Sequence, residues 1–169
     1  MMILITGGSK CGKSRYTESL FEDIPEQKYY IAAMQPFGEE AQAAIARHRK
    51  MRANKGFLTI EQYTDIECAD IADGSAVLLE CMGNLLANEM FRGDTMIDCT
   101  NKIIAGVQRL CQRTKMLVIV TNQVGSDGIY YESGTAAYIA ALGRINQALA
   151  ENADRVIECV YGIPVTVKG

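Results

Sequence analysis

The stretch ILITGGSKCGKS, residues 3–14, decides the fold. An apolar run, predicted as a strand over residues 2–6, leads into the pattern G-x-x-x-x-G-K-[ST], formed here by Gly7, Gly12, Lys13 and Ser14. Glycines let backbone N–H groups approach phosphate oxygens, and the helix that follows such a loop adds positive potential. A glycine-rich turn with a chance GKS is the alternative. The strand before the motif and the helix predicted after it, to about residue 23, favour nucleotide binding.

Short apolar strands alternate with helical stretches along the rest of the chain. The further strands are predicted over residues 28–33, 57–63, 76–80, 115–121, 155–162 and 163–168. The further helices are predicted over residues 38–52, 82–91, 95–113 and 133–151. This alternation predicts an α/β protein of the P-loop NTPase type, with a mainly parallel sheet and helices on both faces. The length predicts one nucleotide-binding catalytic domain over residues 1–169.

The composition is that of an ordinary globular protein, with 49% hydrophobic and 22% charged residues. A net charge of -3 argues against broad binding to nucleic acid. The start MMILITGG lacks a cationic leader, and no apolar stretch approaches the ~20 residues of a membrane span. The six cysteines form no C-x-x-C pair, which is typical of reduced thiols. We therefore expect a cytoplasmic protein without a membrane span or a nucleic-acid partner.

A P-loop protein needs an acidic residue near its metal, and Glu80 is the candidate. It follows the apolar run AVLL at the carboxyl end of a predicted strand, the end where ligands gather in open α/β sheets. A solvated carboxylate at a strand end is the alternative. A GTPase switch would show D-x-x-G and N-K-x-D, but the nearest stretches are ECMG at 80–83 and NQVG at 122–125. A simple GTPase is therefore disfavoured.

The only histidine of the chain, His48, has four cationic neighbours in the sequence: Arg47, Arg49, Lys50 and Arg52. On a helix it shares a face with Ala41, Ala44 and Ile45, so it could simply lie at the edge of an apolar face. The alternative is a catalytic role. Nearby cations disfavour the protonated ring, and a neutral imidazole can attack an α-phosphate while the cations stabilise the polyphosphate.

Several stretches together resemble one known family. AIARHRKMR (44–52) is similar to its I-x-x-H-R-x-x-R, and GRINQALAENADRV (143–156) to its G-x-x-N-Q-x-L-A-x-x-A-D-x-V. VLLECMGNLLANEMF (77–91) and VTNQVGSDGI (120–129) are similar to two further segments. With the P-loop, these motifs resemble the bifunctional adenosylcobinamide kinase / adenosylcobinamide-phosphate guanylyltransferase family of cobalamin biosynthesis, over nearly the whole length.

The resemblance implies an activity and a set of residues. The family phosphorylates adenosylcobinamide, a corrinoid, with ATP or GTP, and then transfers GMP from GTP through a histidine to give adenosyl-GDP-cobinamide. By position, His48 is the nucleophile. The P-loop pattern itself predicts that Lys13 reaches the outer phosphates and that Ser14, together with Glu80 at the strand end, holds Mg²⁺. The implied nucleotide-binding residues are Gly7, Gly8, Ser9, Lys10, Cys11, Gly12, Lys13, Ser14, Ala32, Ala33, Met34, Arg49, Lys50, Met51, Arg52, Glu61 and Glu80. The family also implies a homo-oligomer.

The chain departs from the family pattern at three places. Gln123 stands where the family has a glutamate, and Ala53 where it commonly has a proline. The stretch 136–141 lacks the usual arginine and aspartate. These changes predict a weakened half-reaction or a different acceptor. Two other functions stay open: a plain P-loop small-molecule kinase with an incidental histidine, and a non-catalytic GTP-binding module.

Overall fold

The computed structural model describes residues 1–93, 95–125 and 127–169, and the backbone alone of Met51. Within these ranges the strands are β1 (Met2–Thr6), β2 (Lys28–Ala32), β3 (Phe57–Glu61), β4 (Ser75–Glu80), β5 (Thr114–Val120), β6 (Arg155–Val160) and β7 (Ile163–Lys168). The α-helices are α1 (Lys13–Ser19), α2 (Gly38–Arg52), α3 (Met82–Met90), α4 (Thr100–Arg113) and α5 (Ser133–Asn152), and Ile66–Cys68 forms a 3₁₀ turn.

The strands form a single sheet in the order β3-β2-β4-β5-β1-β6-β7. All neighbours run parallel except β7, which pairs antiparallel with β6. Helices α3, α4 and α5 contribute Leu85, Ile103 and Ile145 to the core on one face, while Ile3 and Phe21 pack in the core on the other face, beside α1. The predicted mainly parallel sheet with helices on both faces is confirmed.

Two predicted helices differ from those observed. The helix predicted over 95–113 begins only at Thr100, after a turn in which the Asp98 carboxylate accepts a hydrogen bond from the Thr100 N–H at 3.0 Å, a local bond of the kind that competes with helix formation. The helix after the P-loop ends at Ser19 rather than near residue 23. There the N–H groups of Leu20 and Phe21 bond three residues back, so the chain tightens into turns.

The parallel arrangement gathers polar residues at one edge of the sheet. Ala32 at the end of β2 lies in register with both Glu61 of β3 and Glu80 of β4, and Glu80 pairs with Val120 of β5. The P-loop leaves β1 at the same edge, two places from β4. The carboxyl ends of β1 to β5 therefore surround one region above the sheet.

The cysteines and the helices bear on the redox state and on membrane insertion. All six cysteines are free thiols, and Cys81, Cys99 and Cys159 are buried. None of the helices in the described ranges combines the length and the apolar character that crossing a bilayer requires.

Candidate active site

The P-loop requires glycine at both ends of its motif. Gly7 has a φ of +142°, and a Cβ there would lie 2.6 Å from the Cys159 carbonyl oxygen and 2.8 Å from the Cys11 sulfur. Gly12 has a φ of +97°, and its Cβ would meet the Cα of Gly162 at 3.0 Å. Neither backbone conformation nor space therefore admits a side chain at these two positions.

Lys13 opens α1 and folds back over the loop. Its side chain is buried, and its Nζ donates hydrogen bonds to the carbonyl oxygens of Gly7 at 2.7 Å and Gly8 at 2.6 Å. These bonds hold the ammonium group over the phosphate-binding turn, where it offsets negative charge on a bound polyphosphate.

The Glu80 carboxylate connects three different segments. Ser14, directly after Lys13, donates from Oγ to Glu80 Oε1 at 3.1 Å, and the Tyr30 hydroxyl donates to Oε2 at 2.6 Å. His48 approaches the same Oε2, with Nδ1 at 3.3 Å, although without the alignment of a hydrogen bond. The imidazole and the P-loop serine thus lie on either side of one carboxylate.

The charge on Glu80 depends on these neighbours. Burial alone raises the pKa of its carboxyl, but the contact with His48, followed by the Tyr30 and Ser14 hydroxyls, lowers it, and the net direction is downward. The sequence predicts only cations around His48. This expectation is incomplete, because a strand end 32 residues away brings the Glu80 carboxylate into contact with the ring.

Arg52 is a buried cation in this site. It is 6% exposed, and the centre of its guanidinium lies 3.2 Å from the centroid of the Tyr30 ring, a cation–π contact. Its Nε and Nη1 are buried without a hydrogen-bond partner among the described residues. Burial and the Glu80 charge raise the pKa of the Tyr30 phenol, so this hydroxyl stays a donor at neutral pH. A buried guanidinium with free N–H groups is suited to bind an anion.

These groups open onto a cleft of ≈ 380 Å³ between α2 and the sheet edge. The predicted site residues that line it are Ser9, Lys10, Lys13, Ser14, Ala32, Met34, His48, Arg49, Arg52, Glu61 and Glu80. Arg49 and Glu61 form an exposed ion pair at its rim, with 2.7 Å between Nη2 and Oε1. The cleft thus joins the P-loop to one face of α2, the face that carries Ala44, Ile45 and His48.

Other predicted site residues do not line the cleft. Gly7, Gly8, Cys11 and Gly12 form the loop beneath it. Ala33 is buried, and its N–H donates to the backbone carbonyl of Glu80 at 3.0 Å, so it positions the strand end. Lys50 is exposed on the outer side of α2, and the side chain of Met51 lies outside what the structure describes.

Sequence reasoning missed Tyr30, Asn84 and Asn122, which also line the cleft. Asn122 follows the central strand β5 by two residues, and a search of every strand end for polar residues would have found it. Tyr30 lies within an apolar strand, so the sequence pattern predicts a core residue and gives no sign that its hydroxyl reaches a site. Its role depends on the pairing of β2 with β4, which no local pattern encodes.

The departures from the family pattern lie outside the cleft. Gln123 donates from Nε2 to Glu158 Oε1 at 2.7 Å, and its N–H bonds to the Gly7 carbonyl at 3.3 Å. On α5, Tyr138 donates to the Gly83 carbonyl at 3.1 Å, and Ile139 packs near Gly125. These residues therefore contact the P-loop, β6, the start of α3 and the loop after β5, and not the cleft itself.

Known proteins are similar to this chain over nearly its whole length. A family model described as "CobU: Cobinamide kinase / cobinamide phosphate guanyltransferase" matches residues 3–167. The chain belongs to this family. It is 38% identical to the bifunctional adenosylcobalamin biosynthesis protein CobU of Escherichia coli (strain K12), over 99% of this chain and 100% of that one. It is 36% identical to the CobU protein of Salmonella typhimurium, with the same coverage.

One solved structure shares this fold at low sequence identity. A chain titled as a prototypical ATPase from the type III secretion system of pathogenic bacteria superposes with a TM-score of 0.53 at 11% identity, covering 98% of this chain and 56% of that one. At this identity the likeness concerns the fold alone. It agrees with the predicted α/β fold, a mainly parallel sheet with helices on both faces.

Proposed function

We propose that this CobU-family chain phosphorylates cobinamide with ATP or GTP, and then transfers GMP from GTP through His48 to cobinamide phosphate. The observation that carries the proposal is the carboxylate shared by Ser14 and His48. It brings the histidine to the triphosphate loop, with 3.1 Å and 3.3 Å separating Glu80 from the two side chains. A carrier histidine has to lie close to the loop that holds the triphosphate.

The residues present fit a magnesium ion. Ser14 Oγ and Glu80 Oε1 lie 3.1 Å apart and are oxygen ligands of the kind that Mg²⁺ prefers. Among the described residues no group of three His, Cys, Asp or Glu side chains could hold a metal, so the other ligands would come from phosphates and water. When bound, Mg²⁺ neutralises charge on the triphosphate.

The guanylyl step uses the free nitrogen of His48. Nδ1 is buried against Glu80, which leaves Nε2 to attack the α-phosphorus of GTP. The Nε2–P bond forms as the bridging P–O bond breaks, and pyrophosphate leaves with that electron pair. Lys13, Arg49 and Arg52 stabilise the leaving group, and Glu80 stabilises the positive charge that develops on the ring. The carboxylate therefore orients and activates the nucleophile.

The kinase step uses the same loop. The cobinamide hydroxyl attacks the γ-phosphorus while Lys13 offsets the charge on the transferring group. We assign acceptance of the hydroxyl proton to Glu80, because it is the carboxylate nearest to the P-loop serine. This step does not require the imidazole, so the two half-reactions are separable by substitution at His48.

The test is incubation with Mg²⁺ and GTP labelled at the α-phosphate. We expect a covalent label on the protein that is stable to alkali and labile to acid, and that is absent in His48→Ala. Ala43→Ser, at an exposed position of the same helix, is the matched control and should label normally. Absence of label in the unmodified protein would refute the guanylyl carrier.

A second labelling separates the remaining alternatives. With GTP or ATP labelled at the γ-phosphate, His48→Ala should still phosphorylate cobinamide. If only this transfer occurs in the unmodified protein, the chain is a plain small-molecule kinase. If GTP binds but neither label is transferred, it is a non-catalytic GTP-binding module.

A further inference from the structure

A second groove opens beside the cleft. It has a volume of ≈ 400 Å³ and lies between the first half of α2, the loop after β2, and α3. Met34, Ala44 and Asn84 line both the groove and the cleft, so the two are continuous. A ligand in the groove therefore has direct access to the region of His48.

The two spaces differ in charge. The cleft is lined by five cations, Lys10, Lys13, Arg47, Arg49 and Arg52. Of the described residues that line the groove, Glu40 is the one with an ionisable side chain. A triphosphate selects the cationic space, because phosphate binding needs charged donors. The groove is suited to a ligand that is neutral over most of its surface.

Aromatic and amide groups form the groove. Phe37, directly before α2, is 79% exposed, so its ring is accessible to a ligand in the groove. Asn88 donates from Nδ2 to the carbonyls of Ala33 at 2.8 Å and Tyr63 at 3.0 Å. Its amide oxygen has no partner in the described part of the chain and stays available as an acceptor. Gln35 and Asn84 add two further amides.

The helix aligns the groove with the nucleophile. Ala41, Ala44 and His48 lie on one face of α2, and Ala44 precedes His48 by one turn. At a rise of ~1.5 Å per residue, the distance along the axis from Ala41 to His48 is about 10 Å. A broad ligand in the groove needs only a short arm along this face to reach the histidine.

We propose that this groove binds the ring of the corrinoid acceptor, an inference that rests on the proposed function. Cobinamide phosphate, named in the family description, has a broad apolar ring edged with neutral carboxamides and a phosphate at the end of one arm. Phe37 packs against the ring, and the amides of Gln35, Asn84 and Asn88 bind its carboxamides. The acceptor phosphate oxygen attacks the phosphorus on His48. The new P–O bond forms as the P–N bond breaks, and the electron pair returns to the imidazole.

The test fills the groove without touching the nucleotide cleft. In Ala41→Trp the indole occupies the groove, whereas Ala43→Trp adds the same group at an exposed position that lines neither space. We expect both variants to label at His48 with GTP as the unmodified chain does. Only Ala41→Trp should raise the KM for cobinamide phosphate, by about tenfold or more.

A second variant, Phe37→Ala, tests the same proposal in case Ala41→Trp does not fold. Phe37→Ala removes an exposed side chain, so it should keep the fold and raise the same KM by about tenfold. An unchanged KM for cobinamide phosphate in Phe37→Ala, or in a folded Ala41→Trp, would overturn the groove assignment. Absence of the His48 label in the unmodified protein would instead refute the proposed function, so the two failures are distinct.

Discussion

Tyr30→Phe removes one hydroxyl from the centre of the site. The Tyr30 hydroxyl donates to Glu80 at 2.6 Å, and its ring carries the guanidinium of Arg52 at 3.2 Å from the centroid. Phenylalanine keeps the ring, the burial and the cation–π contact, so the substitution isolates the hydrogen bond. Hydrogen bonds to charged groups contribute about 1.5–3 kcal/mol. We take the lower end, because Ser14 still donates to Glu80 and His48 still contacts it.

The expected loss is therefore about 1.5 kcal/mol in the free energy of unfolding. For a chain of this size it corresponds to a fall in Tm of about 3–6 °C, measured by thermal denaturation followed by circular dichroism. Tyr29→Phe is the matched control on the same strand. Its hydroxyl accepts a long bond from the exposed Ala72 N–H at 3.3 Å, so its loss should cost less than about 0.5 kcal/mol.

A double-mutant cycle tests the reasoning directly. In a Glu80→Ala background the charged acceptor is gone, so Tyr30→Phe should no longer destabilise the protein. If Tyr30→Phe costs the same in both backgrounds, or costs no more than Tyr29→Phe, the hydroxyl does not bind Glu80 in the way the structure indicates.

Two further predictions concern the P-loop and an ion pair network. Gly7→Ala should abolish GTP binding in a filter assay and destabilise the fold by about 2–4 kcal/mol, since its Cβ would lie 2.6 Å from a carbonyl oxygen; near-normal binding would contradict this. Lys102 and then Arg92 lower the pKa of Asp65 from 3.8 to about 2, so its contribution is present above pH 3.8 and is lost as the pH falls through about 2. Asp65→Asn should cost at most about 1 kcal/mol at neutral pH, because the pair is exposed, and denaturation curves of the two proteins should converge near pH 2.

Local sequence patterns predict the strands and the P-loop, but they do not predict which side chains meet in the cleft. The P-loop motif and the apolar strands depend on neighbours in the sequence, so both follow from residues 2–14 and similar stretches. The contact of His48 with Glu80 depends on which strands are adjacent. It forms because β2 lies beside β4 and α2 crosses above their ends. Strand order in a parallel sheet is set by packing of the whole chain, which no single window of sequence contains.

The same reason explains the electrostatics of the site. Four cations adjoin His48 in the sequence, and the carboxylate that touches it lies 32 residues away. The start of α4 shows a similar limit on a smaller scale. Its helical pattern extends to residue 95, but the helix begins at Thr100, after a turn in which the Asp98 carboxylate accepts a hydrogen bond from the Thr100 N–H. Specific contacts thus override periodicity at the positions where they form.

Helix α2 buries little of its surface against the rest of the protein. Among its described side chains Arg52, the last residue, is buried, and the others are half-buried or exposed. A helix that buries so little apolar surface resists tilting only weakly. If α2 tilts about Arg52, the distance between the His48 ring and the P-loop changes while the strands of the sheet keep their places. In the proposed guanylyl transfer, such a tilt would let the imidazole meet first the nucleotide and then the acceptor.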